Sequence, residues 1–142
     1  MSVLRFEVPG MPAPQGSKRH VGGGRMVESS KTLATWRDSL TIAVRQAAVK
    51  HRVLFDEPVC VEVTFRCPMP RSRKKAVRDA GIGPKSTAPD LDKLQRALGD
   101  ALEAGGLLTN DAVIARWVAE KVEVTGWTGA AIRITPLSKE EA

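Results

Sequence analysis

Residues 89–111 read PDLDKLQRALGDALEAGGLLTND. On a helix at 100° per residue, Leu91, Leu94, Ala97, Leu98, Ala101 and Leu102 fall on one side. Asp92, Gln95, Arg96, Asp100 and Glu103 fall on the other. Asp92, Arg96 and Asp100 step by four and so form one row. Asp90 sits before the first turn, and Gly105-Gly106 is a natural C-terminal stop. A helix with one apolar side needs a surface to cover, and the flanking sequence supplies strands for it.

Downstream, residues 113–124 read as a strand whose phase is blurred at Glu120 and Lys121, as a bulge would do. A short strand, AAIRIT, follows at 130–135, and the tail SKEEA is expected to fray. Upstream, VLRFEV at 3–8 alternates with Leu4, Phe6 and Val8 on one face, and VCVEVTFRC at 59–67 puts Val59, Val61, Val63 and Phe65 inward. Between them Leu33, Trp36, Leu40, Val44 and Ala47 recur at helical spacing, with Ser29 or Ser30 as the expected cap. The Pro- and Gly-rich stretches 9–25 and 68–89 read as loops. The order β-α-β-α-β-β predicts an α/β (α+β) fold in one domain, residues 1–142, with two helices packed on a mixed sheet.

Composition agrees with a globular chain: 42% hydrophobic and 27% charged residues over 142 positions. No apolar run is long enough to span a membrane, and no basic-then-apolar signal region opens the chain, so a cytoplasmic location is expected. Cys60 and Cys67 face opposite sides of one strand and read as free thiols. The net charge of +6 is unevenly spread: residues 1–89 carry 16 Lys and Arg against 7 Asp and Glu, and residues 90–142 carry 6 against 9. A basic half points to a polyanion, most often nucleic acid.

The acids then need a reason. Asp before a helix often caps it, and an Arg between two acids often forms a surface ion pair. Yet Asp111 opens the next strand, so Asp90, Asp92 and Asp111 can converge at one end of the sheet. Such a cluster repels itself unless a cation sits in it, and carboxylate oxygens favour hard ions, Mg²⁺ first. Mg²⁺ beside DNA is the chemistry of phosphodiester hydrolysis.

The stretch PDLDKLQRALGDALEAGGLLTNDAVI, with Lys121 ten residues past Asp111, resembles the RusA family of Holliday junction resolvases (crossover junction endodeoxyribonucleases), common in phages and prophages. Asp90, Leu91, Asp92, Leu94, Ala97, Asp100, Ala101, Leu102 and Asp111 match its signature in order. The segment FEVPGMPAPQGSKR is similar to a Pro/Gly/basic segment after the first strand in that family. The resemblance implies an endonuclease that nicks four-way junctions in DNA recombination, repair or phage DNA processing, as a homodimer, in the cytoplasm of a bacterium or phage-infected host. It implies Mg²⁺, with Mn²⁺ as a substitute, on Asp90, Asp92 and Asp111, and Arg96 in place of a Lys that assists catalysis. Lys93 and Asn110 also depart from the pattern, at an Asn and at the first acid of an Asp-Asp pair.

The cations Lys18, Arg19, Arg71, Arg73, Lys74, Lys75, Lys85 and Lys121 are the expected phosphate contacts, which position DNA without reading sequence. Trp36 reads as core; Trp117 and Trp127 read as core or as stacking platforms. Two rival readings share these residues: a non-catalytic branched-DNA binder, which Asn110 and Arg96 would suit, and a nuclease for other branched DNA.

Overall fold

The computed structural model describes residues 3–16 and 25–137; Lys18, Arg19, His20 and the tail SKEEA lie outside them. The helix of the quoted stretch, α3, spans Leu91–Ala104 and buries Leu94, Ala97, Leu98, Ala101 and Leu102. Gly105 closes it, and Gly106 at φ +82° turns the chain away. Helix α1 spans Arg25–His51, so Ser29 and Ser30, the expected cap positions, lie within it. Its Trp36, Leu40, Val44 and Ala47 are buried, as their spacing predicts. The two helices cross closely at Gly105: a Cβ there would lie 2.5 Å from Val44 Cγ1.

Both helices cover one face of a five-stranded mixed sheet. Its strands are β1 (Leu4–Pro9), β2 (Val59–Pro68), β3 (Ile82–Pro84), β4 (Ile114–Val124) and β5 (Gly129–Pro136), in the order β1-β5-β2-β4-β3. Strands β2 and β4 run parallel, which requires a crossover, and α3 lies within it. The other pairs are antiparallel. The α+β fold is the expected one. The core holds the expected Leu4, Val8, Val59, Val61, Val63 and Phe65 under the two helices, joined by Ile132 and Ile134 of β5, while Phe6, expected on the same face, is half-buried against it.

Two expectations change. The stretch 68–89 is not all loop: it holds a short helix, α2 (Lys75–Ala80), and β3, so three α-helices are present rather than two. Helix α2 buries none of its residues, and so its sequence has no apolar period to reveal it. The irregularity of β4 sits at its start, where Val59 pairs with Ile114 but Cys60 pairs with Arg116. From Trp117 onward the alternation holds. Lys121 and Glu123 occupy helix-side positions, paired with Phe65 and Cys67 of β2. Glu120 faces the bare side as alternation requires, and the blurred phase comes from Lys121 and Glu123, partnered polar residues on the covered face, not from a bulge at that point.

Candidate active site

The outward row of α3 meets the start of β4 in a pocket of about 270 Å³. Asp92, Arg96 and Asp100 come from the helix, Asp111 from the turn before β4. Gly99, Ile114 and Trp117 line the rest with Gln95. Gly99 keeps the wall low: a Cβ there would stand 3.7 Å from Trp117 Cζ2 and 3.9 Å from Ile114 Cδ1. Trp117 is thus half-buried wall of this pocket and packs against the core. Trp36 is core, and Trp127 stacks under the Arg66 guanidinium at 4.3 Å.

Several contacts hold these acids in place. Asp111 leads a one-turn 3₁₀ helix, Asp111–Val113, whose cap is Asn110: its Oδ1 accepts from Ala112 N at 2.7 Å. The backbone N–H of Asp111 donates to Glu103 Oε1 at 3.0 Å. Behind it, Phe55 N donates to Leu107 O at 2.8 Å and Thr109 N to Phe55 O at 3.0 Å, which ties the α3–β4 turn to the end of α1. At the other end, Asp90 occupies the N-cap position of α3, yet its side chain makes no capping bond. Its carboxylate lies 3.5 Å from Lys93 Nζ. Lys121 crosses under this segment from β4. Its Nζ donates to Thr87 O at 2.6 Å and Pro89 O at 2.8 Å, fixing the backbone that delivers Asp90.

The three acids named from the sequence are therefore not all in one place. Asp92 and Asp111 share the pocket with Asp100, whereas Asp90 is absent from its lining. Among the described residues no group of three or more His, Cys, Asp or Glu stands close enough to hold one ion. The ion pair expected of Arg96 with its neighbouring acids is absent too among the described residues. The donor chemistry still fits a hard divalent cation, because Mg²⁺ is commonly held by one or two carboxylates and completed by water and substrate phosphate. Asp92 and Asp111 are the two carboxylates that could serve in this way.

The predicted phosphate contacts divide into two sets. Arg71, Lys74 and Lys75 are exposed, Lys75 pairing with Asp79 at 2.9 Å. Arg73, Lys85 and Lys121 are engaged inside the fold. Arg73 grips Glu123 through two hydrogen bonds of 2.8 and 2.7 Å. Lys85 Nζ donates to Thr87 Oγ1 at 2.9 Å and stands 4.0 Å from Glu123. Glu123 is the buried charged residue of the core, at 3% exposure, and these two cations are what let it stay ionised there. The Arg73 hydrogen bonds hold its carboxyl below the usual range, against burial, which pushes it up.

A depressed carboxyl contributes stability above its unfolded pKa and loses it as pH falls through the folded value. Glu123→Gln is therefore expected to lower Tm at pH 7. The gap from the unsubstituted protein should close as pH falls below about 4. Thermal melts across pH 3–7 check this, and a gap of constant size would refute it.

A larger concavity, about 830 Å³, lies on the bare face of the sheet. There Arg5, Glu7, Glu62, Glu120 and Arg133 mix signs, with Arg133 3.3 Å from Glu62. It has no aligned row of acids, and size alone does not make it the reactive site. Cys60 and Cys67 are buried and unpaired, and burial pushes both thiols up, away from reactivity.

The sequence missed Gln15 and Gly16. Gln15 Nε2 donates to Asp100 Oδ2, and Gln15 N donates to Lys93 O at 3.2 Å. No periodicity marks a glutamine in a Pro-rich loop, and only the fold shows that this loop returns to α3. Residues 7–135 of the chain match the family described as Endodeoxyribonuclease RusA. No curated protein matches.

Proposed function

Because the chain belongs to the RusA endodeoxyribonuclease family, we propose that it resolves four-way DNA junctions by paired phosphodiester cleavage, as a Mg²⁺-dependent homodimer. The observation that carries this reading is the row Asp92–Arg96–Asp100 facing Asp111 across one small pocket. Three carboxylates and a guanidinium are a set suited to a phosphodiester. Asp92 and Asp111 would hold the ion, while Asp90 stays at the head of α3, outside the pocket lining. When bound, the ion activates water and offsets charge gathering on the phosphate. Arg96 meets that same charge from the protein side as the bond breaks. The basic N-terminal half, with Arg71, Lys74 and Lys75 exposed, draws in the DNA backbone without regard to sequence. A two-fold dimer presents two such pockets to two opposed strands.

The test is cleavage of an end-labelled four-way junction with Mg²⁺ and with EDTA. Symmetric nicks in Mg²⁺, none in EDTA, and weaker cutting of a flap or splayed duplex at equal concentration are expected. Equal cutting of all branched substrates would replace junction resolution with a broader branched-DNA nuclease.

One observation favours a second reading. Asn110 spends its side-chain oxygen on the Ala112 N–H, so it adds no oxygen to the pocket where the family pattern has an acid. A non-catalytic junction binder would gel-shift the junction in Ca²⁺ yet leave it uncut in both Mg²⁺ and Mn²⁺.

A further inference from the structure

The loop after β1, Gly10–Gly16, comes back over the reactive side of α3. Its residue Gln15 is fastened twice: its N–H to the carbonyl of Lys93, and its amide nitrogen to Asp100 Oδ2. Lys93 and Asp100 are separated by about two helical turns. Arg96 lies between them, and Gly16 lies against it. A Cβ on Gly16 would overlap Arg96 Nη1 and come within 3.1 Å of its Cζ. Gly16 also holds φ +128°, a conformation that a side chain would resist.

The other end of the Gln15 amide is informative. Its Oε1 is buried and has no hydrogen-bond partner among the described residues. Burying an unpaired carbonyl oxygen is unfavourable, so a residue kept here for packing alone would be apolar. The donor end at Asp100 is what the glutamine supplies.

We propose that Gln15 is a positioning residue of the reactive pocket: it fixes the Asp100 carboxylate, while Gly16 beside it sets where the Arg96 guanidinium lies. This rests on the nuclease reading above. Gln15 acts through Asp100, not on the DNA. One oxygen of Asp100 is bound, which leaves the other to the pocket, and Arg96 is confined between a loop and its own helix.

The test is a double-mutant cycle of Gln15→Met with Asp100→Ala, read in single-turnover junction cleavage, in junction affinity in Ca²⁺, and in urea unfolding. Gln15→Met is expected to slow cleavage about 10- to 100-fold, as loss of such supporting contacts does elsewhere. Junction affinity should hold. In the Asp100→Ala background, which removes the acceptor, the same change should do nothing more, and the two changes should be non-additive in unfolding. An equal loss in both backgrounds, or no loss, overturns the proposal. If the protein nicks no branched DNA, the nuclease reading fails on its own, and additive unfolding energies would then overturn the Gln15–Asp100 link as well. Should Gln15→Met fold poorly, Gly16→Ala serves: it should slow cleavage in the presence of Arg96 and do nothing in Arg96→Met.

Discussion

Asp92→Asn is expected to bring junction cleavage down to background while the junction is still bound in Ca²⁺. The substitution keeps the shape and removes one charge. Among the described residues the Asp92 side chain makes no hydrogen bond or ion pair, and it is exposed on the pocket-facing row. Nothing in the fold depends on it, so Tm should be unmoved and any lost activity reports on the pocket. An amide oxygen is a poor substitute for a carboxylate on a hard divalent ion, and Asp111 alone faces Asp92 from the other wall. Comparing cleavage in Mg²⁺ with gel-shifts in Ca²⁺ separates the two effects. Retained cleavage would remove Asp92 from the metal site. Lost cleavage together with lost binding would make it a DNA contact instead.

Arg96 gives the second large effect, and it distinguishes charge from shape. Arg96→Met should lower the cleavage rate about 10²- to 10³-fold, the usual loss when one preorganised donor to a transition-state charge is removed. Binding should change little. Arg96→Lys restores the residue of the family pattern and keeps the charge, so it should retain most of the rate. An ammonium is more compact than a guanidinium, however, and it loses the confinement that Gly16 imposes on the wider head. The rate ratio of Lys to Met at this position therefore measures how much of the effect is charge alone. Equal rates for the two would show that the guanidinium geometry, not the charge, is what the pocket uses.

Much of this site was legible because it is helical. The four-residue step of Asp92, Arg96 and Asp100 fixes their common row in any α-helix, and six apolar partners on the opposite side fix which way the row faces. Asp111 was legible only as the first acid past a Gly-Gly stop; its place beside the row depends on Phe55 clasping the turn, a contact across 53 residues from Phe55 to Leu108. Asp90 shows the reverse. Its position at the helix start was clear, but the sequence could not show that the backbone carries it away from the pocket lining and that Lys121 pins that backbone from beneath. Arg73 and Lys85 looked like phosphate ligands because a run of cations looks alike whether it faces solvent or a buried glutamate. Only the pairing of Cys67 with Glu123 across β2 and β4 reveals the buried charge that they serve. The short helix α2 left no trace because nothing in it is buried.

The edge strand β1 has its hydrogen-bonding partner far along the sequence: Leu4 lies opposite Ile134, and Pro9 opposite Gly129. A polypeptide made from its N-terminus holds β1 without this partner until β5 has been synthesised. Closing so long a loop comes late in folding. Gln15 and Gly16 ride on the segment attached to that strand, so they reach α3 only after β5 is in the sheet. A growing chain can thus bring Asp92, Arg96 and Asp111 together before the clasp that orders them arrives. On this topology the pocket of α3 and β4 is complete only once β5 has joined the sheet.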